Sequence, residues 1–238
     1  MSVPLRHAPA PRPEYERLAR DFPSLAAQFG LTVDAALAGE LVDLIGVFEA
    51  VDRHVDAIDD AGARVALQRS ILAALDGGAP LDGELGARVA VLRRLAARDA
   101  GAARRCGAEV ERFFARSETL RTTTDARVFV RTVLDEAAPA CALTLDVAAR
   151  LASPEFARFF AVLSEVANLV DKLHDVRGDR RRGEIAVRAG ARLHAALFAA
   201  LVVRGAKLLW LAPKPLALVA WGARHLLPPA SHRDRGQA

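Results

Sequence analysis

Apolar residues return at three- and four-residue steps along most of this chain, the period of helices with one buried face. The clearest stretch starts near Asp34 and runs through Leu41, Leu44, Ile45, Phe48, Val51, Val55 and Ile58. A shorter helix is predicted from about Ala66 to Leu75, followed by a Gly- and Pro-containing loop from Gly77 to Gly83. A charged helix is then expected from Leu85 to Ser117, through Val89, Leu92, Leu95, Val110 and Phe114, weakened near Gly101 and Gly107. Thr122 to Asp125 offers an N-cap for a helix reaching Ala138, and Pro139 starts or kinks the next, which ends near Leu151. Ser153-Pro154-Glu155 combines a cap, a proline at the first helical position and an acid in the first turn. The helix it opens carries Phe156, Phe159, Phe160, Leu163, Val166, Val170 and Leu173 and is expected to fray near Gly178. The remainder, most apolar between Leu193 and Leu227, reads as two helices split at Pro213 to Pro215. No repeat or linker divides the chain, so one helical domain is expected over residues 14–228. A flexible Pro-rich arm (1–13) would precede it and a polar tail (229–238) would follow.

Composition supports the same class. The 238 residues are 52% hydrophobic and 26% charged, a globular balance, and only 5% aromatic. Alanine is the commonest residue and β-branched runs are scarce, so an all-α fold is expected over a sandwich, barrel or Rossmann sheet. The formal charge is +4, and all but three of the 33 basic residues are Arg, whose planar forks match phosphate oxygens. Nucleic acid is not expected as a partner. Two cysteines, Cys106 and Cys141, are too few for a disulfide framework and fit a reducing cytosol, hence a cytoplasmic protein. Met1 to Pro13 lacks the apolar region of a signal peptide. Arg204, Lys207, Lys214 and Arg224 interrupt the apolar C-terminal third, which argues against a spanning helix but leaves peripheral contact with a membrane surface open.

The candidate chemistry lies in two acidic clusters. Asp52, Asp56 and Asp59 stand at i, i+4 and i+7 beside the apolar stripe of Phe48 and Val55. Asp171, Asp175 and Asp179 repeat at i, i+4 and i+8, with Asn168 one turn earlier. Like charges one turn apart cost a helix a few tenths of a kcal/mol per pair, roughly. Binding of Mg²⁺, a hard ion commonly shared between carboxylates and substrate phosphates, is a function that needs such clustering. A single acidic pair is more often a solvated helix face. Two clusters, both bordering apolar stripes and both followed by arginine, bring a metal site level with that ordinary explanation. Arg177, Arg180, Arg181 and Arg182 follow the second cluster and could hold a diphosphate, or could form a basic turn at a helix end.

The segment from Leu169 to Ile185 resembles the squalene/phytoene synthase family. Asp175, Val176, Asp179, Arg182, Gly183 and Ile185 match its motif N-x-L-R-D-V-x-x-D-x-x-R-G-x-[IV]-Y in register, with Asp171 at the Asn position and His174 at the Arg position. Asp52 and Asp56 match the family's D-D-x-x-D motif, with Arg53 in place of the middle acid. Thr122 to Asp125 and the small run Ala137 to Ala142 are similar to its central helix. The resemblance covers about Asp34 to Ile185. It implies an isoprenoid synthase bundle with a central apolar cavity. In it, Mg²⁺ held by Asp52, Asp56, Asp171, Asp175 and Asp179 would trigger ionisation of a prenyl diphosphate, and Arg177, Arg181 and Arg182 would bind the leaving group. The chain departs from the family at Glu49, where an Arg is usual, and at Ala186, where a Tyr is usual; its only tyrosine is Tyr15.

Those departures favour cyclisation or rearrangement of one prenyl chain over head-to-head coupling of two. Coupling remains an alternative, as does a non-catalytic helical relative that binds a partner or membrane. A helical metal-dependent pyrophosphohydrolase is a third, although its E-x-x-E and E-x-x-D patterns are not found at suitable places.

Overall fold

A computed structural model describes residues 13–97, 100–151 and 153–225, with side chains from residue 20 onward apart from those of residues 100, 103, 150, 182, 224 and 225. The arm up to residue 12 and the tail from 229 lie outside the described residues. Those described form nine α-helices and no strand, so the chain is all-α. In order these are α1 (Pro13–Ala26), α2 (Ala35–Asp56), α3 (Ala61–Leu75), α4 (Gly83–Ala96), α5 (Ala100–Thr122), α6 (Ala126–Val147), α7 (Pro154–Arg182), α8 (Ala191–Leu211) and α9 (Pro215–His225).

The starts follow local chemistry. Asp34 caps α2 by accepting from the Leu37 N–H at 2.8 Å, and Asp60 caps α3 through Ala63 at 2.7 Å. Asp125 accepts from the N–H groups of Arg127 and Val128, and Ser153 from that of Phe156. Each satisfies a donor that would otherwise have no partner in the first turn. Packing decides the rest. The expected helix over Leu85 to Ser117 is two: α4 lies on α2 and α5 on α6, so their buried faces answer to different neighbours. Pro139 does not break α6, which runs on to Val147. α7 does not fray at Gly178 but continues to Arg182, with the apolar Val176 fully buried beside the glycine. A glycine within a helix costs about 1 kcal/mol, less than the burial that holds this turn. The left-handed residue that stops the helix is Gly183, at φ +78°.

α6 is the central strut, in contact with α2, α5, α7 and α8. Its buried residues, among them Phe129, Val133, Ala137, Cys141 and Leu143, surround much of its circumference. One apolar cluster joins α1, α2, α7 and α9, with Phe22 and Phe29 edge-on to Phe156 at ring distances of 5.8 and 5.4 Å. A second fills the space between α2, α3, α4, α5 and α6. A third joins α6, α7 and α8 to Ile185 and Val187. Both cysteines are free and buried; burial pushes each thiol up to about 11, which leaves them poor nucleophiles. α8 is long and apolar enough to cross a membrane by length and composition, with 17% of its most apolar window buried.

Candidate functional site

The two acidic clusters lie on α2 and α7, and the ammonium of Lys172 stands among carboxylates from both. Its Nζ lies 4.0 Å from Asp171 Oδ2 and 3.9 Å from Asp179 Oδ2. Burial alone would depress its pKa, but the charges of Glu136, Asp171, Asp179 and Asp52 outweigh that and raise it, so Lys172 is a fixed cation. Glu136, on the buried side of α6, completes the group. Burial raises its pKa against the pull of Lys172 and of a 3.3 Å hydrogen bond from Asn168 Nδ2, which also donates to the Val133 carbonyl at 2.9 Å. Asp171 and Asp179 of α7 and, most weakly, Asp52 of α2 thus act on one charge. Asp175 lies between Asp171 and Asp179 along the same face and is half-buried.

Asp56 has a different partner, the Arg121 guanidinium near the end of α5, which donates to Asp56 Oδ1. Arg121 belongs to a second polar network. Arg64 of α3 is 7% exposed and grips Glu118 with both arms of its fork, Nε to Oε1 at 2.7 Å and Nη2 to Oε2 at 3.0 Å. Its third nitrogen donates to the Ile58 carbonyl at 3.0 Å, and Gln68 donates to Glu118 at 2.9 Å. The Ala186 N–H donates to the Arg121 carbonyl at 2.9 Å, tying the loop after α7 to the end of α5.

Several expected placements are corrected. Asp59 is not on the α2 face: the helix ends at Asp56, and Asp59 lies exposed in the turn before α3. Arg177 and Arg181 are exposed and, at 3.6 residues per turn, lie on the side of α7 away from Asp171, Asp175 and Asp179. Arg181 Nε donates to the Arg177 carbonyl at 3.3 Å, one turn back along the helix. Arg182 falls at a helix position shared with the aspartates, but its side chain lies outside the described residues. Arg121, whose guanidinium meets Asp56, is a residue that the sequence reading missed. Lys172 and Glu136 were missed too. Two signals pointed to them: Lys172 is one of only three lysines, and Glu136 interrupts the apolar face of a small-residue helix.

The donor chemistry fits Mg²⁺. Asp52, Asp171, Asp179 and Glu136 offer hard oxygens, and four carboxyl groups around one ammonium leave an excess of negative charge when ionised. Yet among the described residues no three His, Cys, Asp or Glu side chains are arranged to hold a metal ion. The ammonium occupies the middle of the group instead. Lys172→Met is therefore expected to bind Mg²⁺ at least about tenfold more tightly than the natural chain, since a like charge leaves the cluster. Mg²⁺-dependent gain in Tm measures it, and an equal or smaller gain in the variant would show that the ammonium does not compete.

Among α2 to α6 lies a small apolar cavity of about 30 Å³, room for roughly one water molecule. Its walls include Val47, Phe48 and Val51 of α2, Phe113 of α5, and Pro139 and Ala140 of α6. Val51 is next to Asp52 in sequence and Ala140 is one turn from Glu136, but none of the described residues of α7 lines the cavity. Comparison with protein-family models, characterised proteins and solved structures finds no match.

Proposed function

We propose that this protein is a Mg²⁺-dependent class I isoprenoid synthase that ionises a prenyl diphosphate and cyclises or rearranges the resulting cation. The observation that carries the reading is the gathering of Asp171 and Asp179 of α7 about Lys172, with Asp52 of α2 acting on the same charge. When bound, Mg²⁺ would neutralise charge on the departing diphosphate. Asp52, Asp171, Asp175 and Asp179 would hold it, with Asp56 presenting Arg121 from the facing side. The allylic C–O bond breaks, its electron pair leaves with the diphosphate, and a carbocation remains on the hydrocarbon. Lys172 and Arg121 would donate to diphosphate oxygens. Phe48 and Phe113 line the cavity, where an aromatic face attracts a desolvated cation by about 2 kcal/mol. Loss of a proton from the cation would complete an alkene product. A chain of prenyl length exceeds the 30 Å³ cavity, so binding requires the helices around it to part.

A non-catalytic relative is the second reading, and Lys172 favours it: an internal ammonium compensates the carboxylates without metal. One incubation separates the two. The full chain with Mg²⁺ and farnesyl or geranylgeranyl diphosphate should release pyrophosphate and yield hydrocarbon in an organic overlay. A product with the substrate's carbon number supports cyclisation or rearrangement, and doubled carbons indicate coupling. No pyrophosphate from either substrate would sink the enzymatic reading.

A further inference from the structure

Between Ile185 and His225 the sequence has no carboxylate side chain, although the whole chain carries 29. The same stretch contains Arg188, Arg192, Arg204, Lys207, Lys214 and Arg224. α8 is fastened to the bundle along one side, where Leu193, Leu197 and Leu208 are buried and Arg204 Nε meets Glu165 Oε2 of α7 at 3.2 Å. Its other side is apolar and open: Phe198, Val202, Val203 and Trp210 are exposed, the last at 83%. α9 continues the ridge with Leu216, 86% exposed, and Val219. With the exception of Val128, every large exposed hydrophobic residue among those described belongs to these two helices. A concentration of this kind marks an interaction surface.

We propose that the outer face of α8 and α9 docks on the surface of an anionic phospholipid bilayer. The apolar ridge enters the boundary between headgroups and acyl chains, while exposed Arg188, Arg192, Lys207 and Lys214 meet lipid phosphates. Charge selects this occupant over a second copy of the chain. A two-fold contact through the ridge would set two carboxylate-free basic strips against each other, whereas an anionic headgroup layer complements them. Spanning is disfavoured because α8 would have to give up its buried leucines and the Arg204–Glu165 pair. The assignment holds whether or not the protein is catalytic.

The two tryptophans make the test direct, since Trp210 lies on the ridge and Trp221 is 2% exposed. The full chain should float with vesicles of phosphatidylcholine and phosphatidylserine at low salt, at least about tenfold more than with phosphatidylcholine alone. Salt should release it, and tryptophan emission should shift to the blue. Trp210→Phe should abolish the shift, and the double variant Val203→Glu, Leu216→Glu should stay in solution with an unchanged helical CD spectrum. Several outcomes overturn the proposal: no flotation and no shift at low salt, equal flotation with neutral vesicles, or retention on membranes through an alkaline carbonate wash. A dimer on gel filtration that the double variant converts to monomer would assign the ridge to a second copy and overturn it too.

Discussion

Asp52→Asn is expected to lower pyrophosphate release on the order of 10²–10³-fold while leaving the helical CD spectrum and Tm nearly unchanged. That magnitude is what removal of one preorganised electrostatic contact to a developing charge typically costs. Asp52 acts on Lys172 from α2, and the variant would remove that helix's carboxylate from the charges around the ammonium while leaving Asp56 with Arg121. The fold loses little, because Lys172 keeps Glu136, Asp171 and Asp179, and a repulsion with neighbouring carboxylates is relieved. Pyrophosphate release by the variant at the natural rate would remove Asp52 from the mechanism. A collapse of Tm would recast it as a structural residue.

Glu118→Ala should have its largest effect on stability, a loss of about 3 kcal/mol, as expected when one partner of a largely buried ion pair is deleted. In a chain of this size that corresponds to a fall in Tm of roughly 6–12 °C. The reason is Arg64, 7% exposed, which would keep only backbone acceptors for a charged guanidinium. Burial pushes Glu118 up, but hydrogen bonds from Arg64 and Gln68 and the charges of Arg64 and Arg121 outweigh it and hold the carboxyl below its usual value. A depressed folded pKa contributes stability that is present above the unfolded value, roughly 4.3, and lost as pH falls through the folded one. Denaturation profiles of the natural chain and Glu118→Gln should therefore differ most near neutrality and draw together in acid. Parallel profiles would show that Glu118 does not carry this acid sensitivity.

Helix starts were legible at three caps, though not at Asp60, where α3 begins at Ala61 and not near Ala66, nor at α1. Asp34, Asp125 and Ser153 announce helix starts because a side-chain oxygen three residues before a free N–H needs nothing distant to bond it. The break at Pro213 to Pro215 was legible for the same reason, since the structure separates α8 from α9 there. Gly178 misled because its cost is about 1 kcal/mol and the burial of Val176 beside it outweighs that. Asp59 misled because the i, i+7 spacing assumes a helix that ends one turn earlier, at Asp56.

What the sequence determined by itself was the all-α class, the caps, and the two acidic repeats with Asp52, Asp56, Asp171, Asp175 and Asp179. Those are matters of composition and of contacts within one or two turns. The tertiary structure alone decided which charges meet. It set Lys172 among carboxylates from two helices, brought Arg121 from α5 to Asp56, and left Arg177 and Arg181 facing away. It also decided that one face of α8 is covered and the other is not. A Coulomb interaction falls off with distance in space, not along the chain. Residues as far apart as Asp52, Glu136 and Lys172 acquire a common chemistry only when packing of α2, α6 and α7 brings them together.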